Sequence, residues 1–312
     1  MVTGAGGMLG RDVVRAAEAA HHDVVGANRA VDVTDRDAVR RAVAAAEPDV
    51  VFNCAAWTDV DGAEEAEEEA TRVNGEAAGI VAAGAAGGGA GGGGASTDYV
   101  FDGRGAGVEG DAAGSGATGE RGGGRRGLLG RRRTRSRKPT PRPYVESDPV
   151  GPLSAYGRSK LAGEEATSAA NPRHFVVRTS WLFGTGGRNF VETMLGLAET
   201  GQVTVVRDQV GSPTYTGHLA EGLLRLAATE AYGVHHMTAG GHCSWYDFAR
   251  AIFAAAEVDC QVLSATTDVF PRPAPRPPWS VLDTEWPDAI YLPDWPDGLR
   301  AYLAERSAKM AA

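Results

Sequence analysis

Cysteine is scarce in this chain: three among 312 residues (Cys54, Cys243 and Cys260), without paired spacing. That excludes a disulfide framework and a thiolate zinc site, and it fits a reducing compartment such as the cytoplasm. Histidines spaced for metal are missing too. His21-His22 and His235-His236 are adjacent pairs, not the i, i+4 pairs by which a helix presents two imidazoles to one ion. They read as surface or strand-end residues, and no metal is expected. Positive charge is in deficit, 31 Lys and Arg against 40 Asp and Glu for a net charge of -9, so nucleic acid is not the expected partner. No apolar run is long enough to span a bilayer, and the N-terminus lacks a signal-peptide layout, so no membrane association is expected.

Glycine, by contrast, is abundant, with 43 residues concentrated in three places. The first is Gly4, Gly7 and Gly10, a G-x-x-G-x-x-G motif ahead of an alanine-rich, helix-forming stretch. Glycines so placed let backbone N–H groups approach a pyrophosphate at a helix N-terminus. Only Met1 to Thr3 precede the motif, so either the first strand is very short or further residues belong before it. Val24 to Ala27 is a candidate second strand, ending at Asn28-Arg29 without a carboxylate for a ribose 2′-hydroxyl; Arg29 either meets a 2′-phosphate or is solvated. A helix near 36–46 with Asp35 as N-cap, the strand Asp49 to Cys54 after Pro48, and an acidic helix over 64–83 continue the alternation. Strand–helix alternation with continuous apolar strands predicts an α/β, Rossmann-like doubly wound parallel sheet.

The second glycine cluster, 84–94, breaks that pattern. A fourth parallel strand belongs just before Ser96, yet polyglycine has no side chains to bury and loses much entropy on ordering. This segment is therefore expected to damage the sheet. The third is a Gly/Arg-rich tract near 104–142, including Arg131-Arg132-Arg133 and Arg135, which reads as a disordered insertion. A basic tract can also meet nucleic acid, but an uninvolved insertion is the favoured reading.

From Pro143 the order returns. In Ser154-Ala155-Tyr156-Gly157-Arg158-Ser159-Lys160-Leu161-Ala162-Gly163-Glu164, Tyr156 and Lys160 stand one turn apart on one helix face. An ammonium group beside a phenol favours phenolate and draws its pKa toward the range where general acid catalysis is effective. The same spacing also describes a helix with an exposed lysine and a half-buried tyrosine. Further strands are expected at 175–184, 203–206 and 233–237. Helices are expected at 188–200, 217–229, 245–256 (capped by Ser244) and 299–309, with a structured proline loop over 271–280.

Taken together, Gly4/Gly7/Gly10, Asp32-Val33-Thr34-Asp35, Ser96-Thr97-Asp98-Tyr99-Val100-Phe101-Asp102-Gly103 and Tyr156-x-x-x-Lys160 resemble the extended short-chain dehydrogenase/reductases. Arg178-Thr179-Ser180-Trp181, Asp208 to Thr214, Cys243 to Ala249, and Arg272 to Pro277 with Ser280 to Asp283 narrow the resemblance to the dTDP-4-dehydrorhamnose reductase family. The resemblance covers the chain except for 84–94 and 104–142. It implies an NAD(P)-binding domain over 1–180 and a smaller, mainly substrate-binding domain over 181–312, interleaved with late Rossmann elements. It implies NADPH or NADH as cofactor, a dTDP-sugar as substrate, and a monomer or homodimer. The family's catalytic set maps onto Thr97, Tyr156 and Lys160. Its cofactor contacts map onto Gly4, Gly7, Met8, Leu9, Gly10, Asp32, Val33, Ala55, Ala56, Trp57, Tyr156 and Lys160, with Asn74 structural or on the cofactor side. Its substrate contacts map onto Trp181 (sugar), Ser212, Pro213 and Thr214 (nucleotide) and Arg276 (diphosphate). Trp181 also fits a core role and Arg276 a surface cation; Trp245, Tyr246 and Phe248 are assigned to helix packing.

The chain departs from the family in the long Thr97–Tyr156 spacing, in the polyglycine, and in Trp279, where the family more often has Asn. Two other readings stay open. A sugar-nucleotide dehydratase or epimerase is disfavoured because Asp98 is followed by Tyr99, where dehydratases carry Glu. A non-catalytic NADP-binding regulatory subunit is suggested by the polyglycine.

Overall fold

The computed structural model describes residues 1–106 and 141–311, so most of the Gly/Arg-rich tract expected to be disordered lies outside the described residues. β1 (Val2–Thr3), β2 (Gly26–Ala27), β3 (Val50–Asn53), β4 (Gly91–Thr97) and β5 (His174–Thr179) join the strand Gly233–His236 in one parallel sheet. The order across it is β2-β1-β3-β4-β5 and then Gly233–His236. Strand order reverses between β1 and β3, and ligands of doubly wound sheets sit at the carboxyl ends of the strands beside such a reversal.

Period-2 alternation divides the side chains between two cores. Phe52 faces Val13, Leu219 and Leu223, under the helices Met8–Ala19 and Thr216–Ala227. Val51, its neighbour, faces Val39, Val43, Val81 and Ala85 on the helices Arg36–Ala46 and Ala77–Gly87. The helix Ala155–Ala170 packs beside Ala77–Gly87 on that second face. A separate cluster built on Phe183, Val191, Phe248, Ile252, Leu299 and Tyr302 fills the C-terminal part. There Ser244 caps the helix Trp245–Ala255 by accepting from Asp247 N at 3.1 Å.

Several sequence expectations are corrected. β2 covers only the last two residues of Val24 to Ala27, because its single neighbour β1 offers only Val2 and Thr3 for pairing. The acidic helix is broken into Gly62–Glu65, Glu67–Thr71, a π turn over Arg72–Glu76, and Ala77–Gly87. Crowded like charges weaken a continuous helix, and the Asn74 side chain bonds away from the helix (below). The stretch expected as one strand over 175–184 breaks at Ser180-Trp181, where Trp181 turns to φ 46°. The final helix begins at Trp295, before Leu299.

The largest correction concerns the polyglycine. Residues Gly84 to Gly87 end a helix, and Gly91 to Gly94 run through the middle of the sheet, paired with Val50 to Asn53 on one side and His174 to Val176 on the other. A central strand has both backbone ladders satisfied whatever its side chains, and flanking apolar strands and helices supply the burial. The missing side chains leave a cavity of about 30 Å³ lined in part by Gly92, Gly94, Val51, Ala82 and Val176.

Candidate active site

The helix Ala155–Ala170 is started by Ser154, whose hydroxyl accepts from Gly157 N at 3.1 Å. A Cβ at Gly157 would lie 2.3 Å from the Tyr99 carbonyl oxygen, and one at Gly163 would lie 2.1 Å from that of Asn74. Two glycines thus let this helix settle onto the carboxyl end of β4 and onto the π turn. The contact brings the hydroxyl of Thr97, the last residue of β4, close enough to the Tyr156 phenol to act on its proton affinity. Lys160 lies one turn on, and its ammonium donates to the Ala95 carbonyl at 2.6 Å.

Electrostatics at this junction differ from the sequence expectation. Burial, followed by the negative charge of Asp98, pushes the Tyr156 phenol up to about 12, while the nearby Thr97 hydroxyl pulls the other way. Lys160 is not among the groups that set the phenol's pKa in the protein alone. Burial lowers Lys160 itself to about 8, against the opposing pull of Glu164 and Cys54. The phenol therefore holds its proton firmly.

The glycine motif forms a tight turn into the first helix. Gly4 sits at φ 63°, where a Cβ would lie 2.5 Å from Ala55 N, and a Cβ at Gly10 would lie 2.3 Å from the Gly4 carbonyl oxygen. Gly7 is the N-cap of Met8–Ala19 and provides no side-chain cap. Backbone N–H groups of an uncapped first turn, approached closely through glycine, suit an anionic diphosphate. Leu9 is buried in the core and Met8 packs on the loop Gly184–Gly187. Asp32 accepts from the Thr34 hydroxyl at 2.7 Å and from its backbone N at 2.9 Å, which lowers its pKa; Val33 packs partly into the core. Ala55 N donates to Asn53 Oδ1 at 3.2 Å, and Ala56 follows. Buried Asn74 accepts from Trp57 N at 2.9 Å and donates to Trp57 O at 3.1 Å and to Ser159 Oγ at 2.9 Å. It pins the Trp57 loop to the helix that carries Tyr156.

The proposed substrate residues are spread over separate loops. Trp181 lies flat on Trp245, ring centroids 3.5 Å apart and planes at 4°, which joins to it a tryptophan that the sequence assigns to helix packing alone. Ser212, Pro213 and Thr214 are buried: Ser212 Oγ donates to Gly241 O at 2.8 Å and Thr214 Oγ1 to Ser212 O at 3.1 Å. Arg276 is held by Asp61 at 3.0 Å, with Arg272 on the same carboxylate at 3.6 Å.

Sequence reasoning missed three groups. Asp61 is one. A second is the buried ion pair of Glu164 with Arg178 at 2.7 Å, on which Ser96 Oγ also donates to Glu164 at 2.5 Å. Its signal was available: Glu164 follows Lys160 by four residues, and Arg178 interrupts an apolar strand. The third is Asp98, 2% exposed, whose Oδ1 meets the Thr97 hydroxyl at 3.1 Å. Among the described residues its Oδ2 has no hydrogen-bond partner. Burial pushes this carboxyl up to about 7, opposed by the hydroxyls of Ser280 and Thr97.

Among the described residues no group of three His, Cys, Asp or Glu could hold a metal, and no helix is long and apolar enough to cross a membrane.

The family model described as "RmlD substrate binding domain" matches residues 1–308. The chain is 40% identical to the dTDP-4-dehydrorhamnose reductase of Mycolicibacterium smegmatis, covering 97% of this chain and 84% of that one. It is 37% identical to the spore coat polysaccharide biosynthesis protein SpsK of Bacillus subtilis, covering 99% and 98%. The crystal structure of dTDP-4-dehydrorhamnose reductase from Bacillus anthracis in complex with NADP superposes with a TM-score of 0.84 at 31% identity, covering 97% and 98%. With a glycine turn at the reversal of a doubly wound sheet and a match over nearly all its length, the chain belongs to the RmlD substrate binding domain family.

Proposed function

We propose that this protein reduces the C4 ketone of dTDP-4-dehydro-L-rhamnose to dTDP-L-rhamnose with NADPH or NADH, as an enzyme of the cytoplasm. The observation that carries the reading is the convergence of Thr97, Tyr156 and Lys160 where β4 meets the helix Ala155–Ala170. Near relatives named dTDP-4-dehydrorhamnose reductase support the choice of substrate. Residues 1–180 form the cofactor domain and 181–312 mainly the substrate domain, and the protein acts as a monomer or homodimer.

Gly4, Gly7, Met8, Leu9 and Gly10 hold the cofactor diphosphate by backbone N–H groups, Asp32 and Val33 border the adenine, and Ala55, Ala56 and Trp57 flank the cofactor. The reduced nicotinamide, when bound, supplies the hydride. Tyr156 gives its phenolic proton to the ketone oxygen as charge develops there, and the Thr97 hydroxyl donates a hydrogen bond to the same oxygen. Lys160, fixed by the Ala95 carbonyl, holds the nicotinamide ribose, and its positive charge steadies the phenolate that forms. Arg276 exchanges Asp61 for the substrate diphosphate, whose oxygens match the guanidinium fork. Ser212, Pro213 and Thr214 shape the nucleotide pocket, and Trp181, backed by Trp245, faces the sugar.

The test is to mix purified protein, NADPH and dTDP-4-keto-6-deoxy-L-mannose and follow the absorbance of the reduced nicotinamide. Turnover is expected to fall about 10²–10⁴-fold in Tyr156→Phe. Absence of cofactor oxidation above that variant refutes the reading.

A further inference from the structure

The carboxyl of Asp98 is buried beside the candidate catalytic hydroxyl, and the chemistry described so far leaves it unused. We infer that Asp98 is a positioning residue that works in its neutral form, donating its carboxyl proton to Thr97 Oγ so that the Thr97 proton is free for the substrate oxygen. The inference rests on the ketone-reducing role proposed above.

The argument is a count of protons and lone pairs. A threonine hydroxyl has one proton to give and two lone pairs to receive. Thr97 Oγ meets Asp98 Oδ1 at 3.1 Å and accepts from Tyr99 N at 3.3 Å. If Asp98 is ionised, its oxygens can only accept, so the single Thr97 proton must point at Asp98. Thr97 then turns a lone pair toward the ketone oxygen, which itself carries lone pairs, and the contact is repulsive. If Asp98 is neutral, its O–H and the Tyr99 N–H fill both lone pairs of Thr97. The Thr97 proton is then directed at the oxygen where charge develops.

The surroundings of Asp98 favour the neutral form. Asp98 is 2% exposed, and its Oδ2 finds no hydrogen-bond partner among the described residues. An ionised carboxylate with one oxygen so placed is heavily penalised, whereas a neutral carboxyl leaves only a weak acceptor without a partner. Among the described residues the titratable groups facing it are the phenols of Tyr99 on its own segment and Tyr156 on the neighbouring helix, both raised first by burial and then by its charge. Ser280 and Thr97 contribute hydroxyls, and among the described residues no cation helps set its pKa. Arg276, which acts on Tyr99, is paired with Asp61. The carboxyl's pKa of about 7 agrees with this environment.

The test compares the pH dependence of kcat/KM for the keto sugar in the full-length wild type and D98N. Asparagine's amide donates to Thr97 Oγ at every pH. The wild type is expected to lose activity about tenfold per pH unit above the Asp98 midpoint, and D98N to lack that fall while keeping more than about a tenth of the wild-type rate below it. Lys160 titrates in both proteins, so the difference between the two profiles is what is read. Coincident profiles, or a folded D98N that loses more than that below neutrality, overturn the inference. A second measurement needs neither turnover nor D98N: the infrared carbonyl band of a buried neutral carboxyl should vanish as pH rises through about 7. D12N should retain it, since among the described residues Asp12 is the other carboxyl raised by burial. Absence of the band in D12N refutes a neutral Asp98. A wild type that does not turn over defeats the proposed function instead, and the band still decides the state of Asp98.

Discussion

Replacing Gly93 by alanine should make this protein more stable. Gly93 is buried in the centre of β4, and its φ lies outside the left-handed region. A Cβ there would meet Phe52 Cδ1 at 3.5 Å and the Phe175 carbonyl at 3.8 Å, which is ordinary contact. The backbone conformation therefore suits alanine, and the unfolded chain loses freedom that glycine keeps, worth about 0.4–1 kcal/mol. Burial of one methyl group adds about 0.8 kcal/mol. Together these give about 1.5 kcal/mol, or about 2 °C in Tm for a chain of this length. The assay is thermal unfolding followed by circular dichroism, with Gly157→Ala as the opposite control. There the new Cβ would lie 2.3 Å from the Tyr99 carbonyl, on backbone that cannot turn aside. A Gly93→Ala protein that melts below wild type would refute the reasoning that β4 is held by its ladders and lacks only side chains.

Other perturbations probe the site. Glu164→Gln leaves Arg178 buried without its counter-charge, so stability should drop by about 3–5 kcal/mol in chemical denaturation. A loss within error of zero would show that the pair is solvated. Lys160, lowered from 10.5 to about 8, binds its proton less readily in the folded than in the unfolded chain. Wild type should therefore gain stability relative to Lys160→Met as pH rises from about 8 toward 10.5, and level off above. A relative loss over that window would contradict the buried position of the ammonium. Arg276→Gln should weaken dTDP binding about tenfold by titration calorimetry while leaving NADPH binding as it was. Equal weakening of both would remove Arg276 from the diphosphate site.

Much of this molecule was legible in its residues, and the reasons are local. The glycine turn, the Asp35 and Ser244 caps, the apolar strands and the Tyr156–Lys160 spacing each follow from chemistry within a few neighbours along the chain. The motifs in their order carried the family resemblance. What happens across β4 was not legible there. Polyglycine by itself has no reason to form a strand. It becomes one because β3 and β5 offer complete hydrogen-bond ladders on both sides, and those partners lie far away in sequence. The same distance hides the orphaned oxygen of Asp98, the pairing of Arg178 with Glu164, and the hold of Asp61 on Arg276. Even the Tyr156 phenol moved opposite to expectation, because burial outweighs a lysine that the fold turns toward the Ala95 carbonyl. Side-chain identity thus determined the elements and the reacting groups. Desolvation and backbone pairing, which exist only once distant segments meet, decided their charge states and whether the central strand forms.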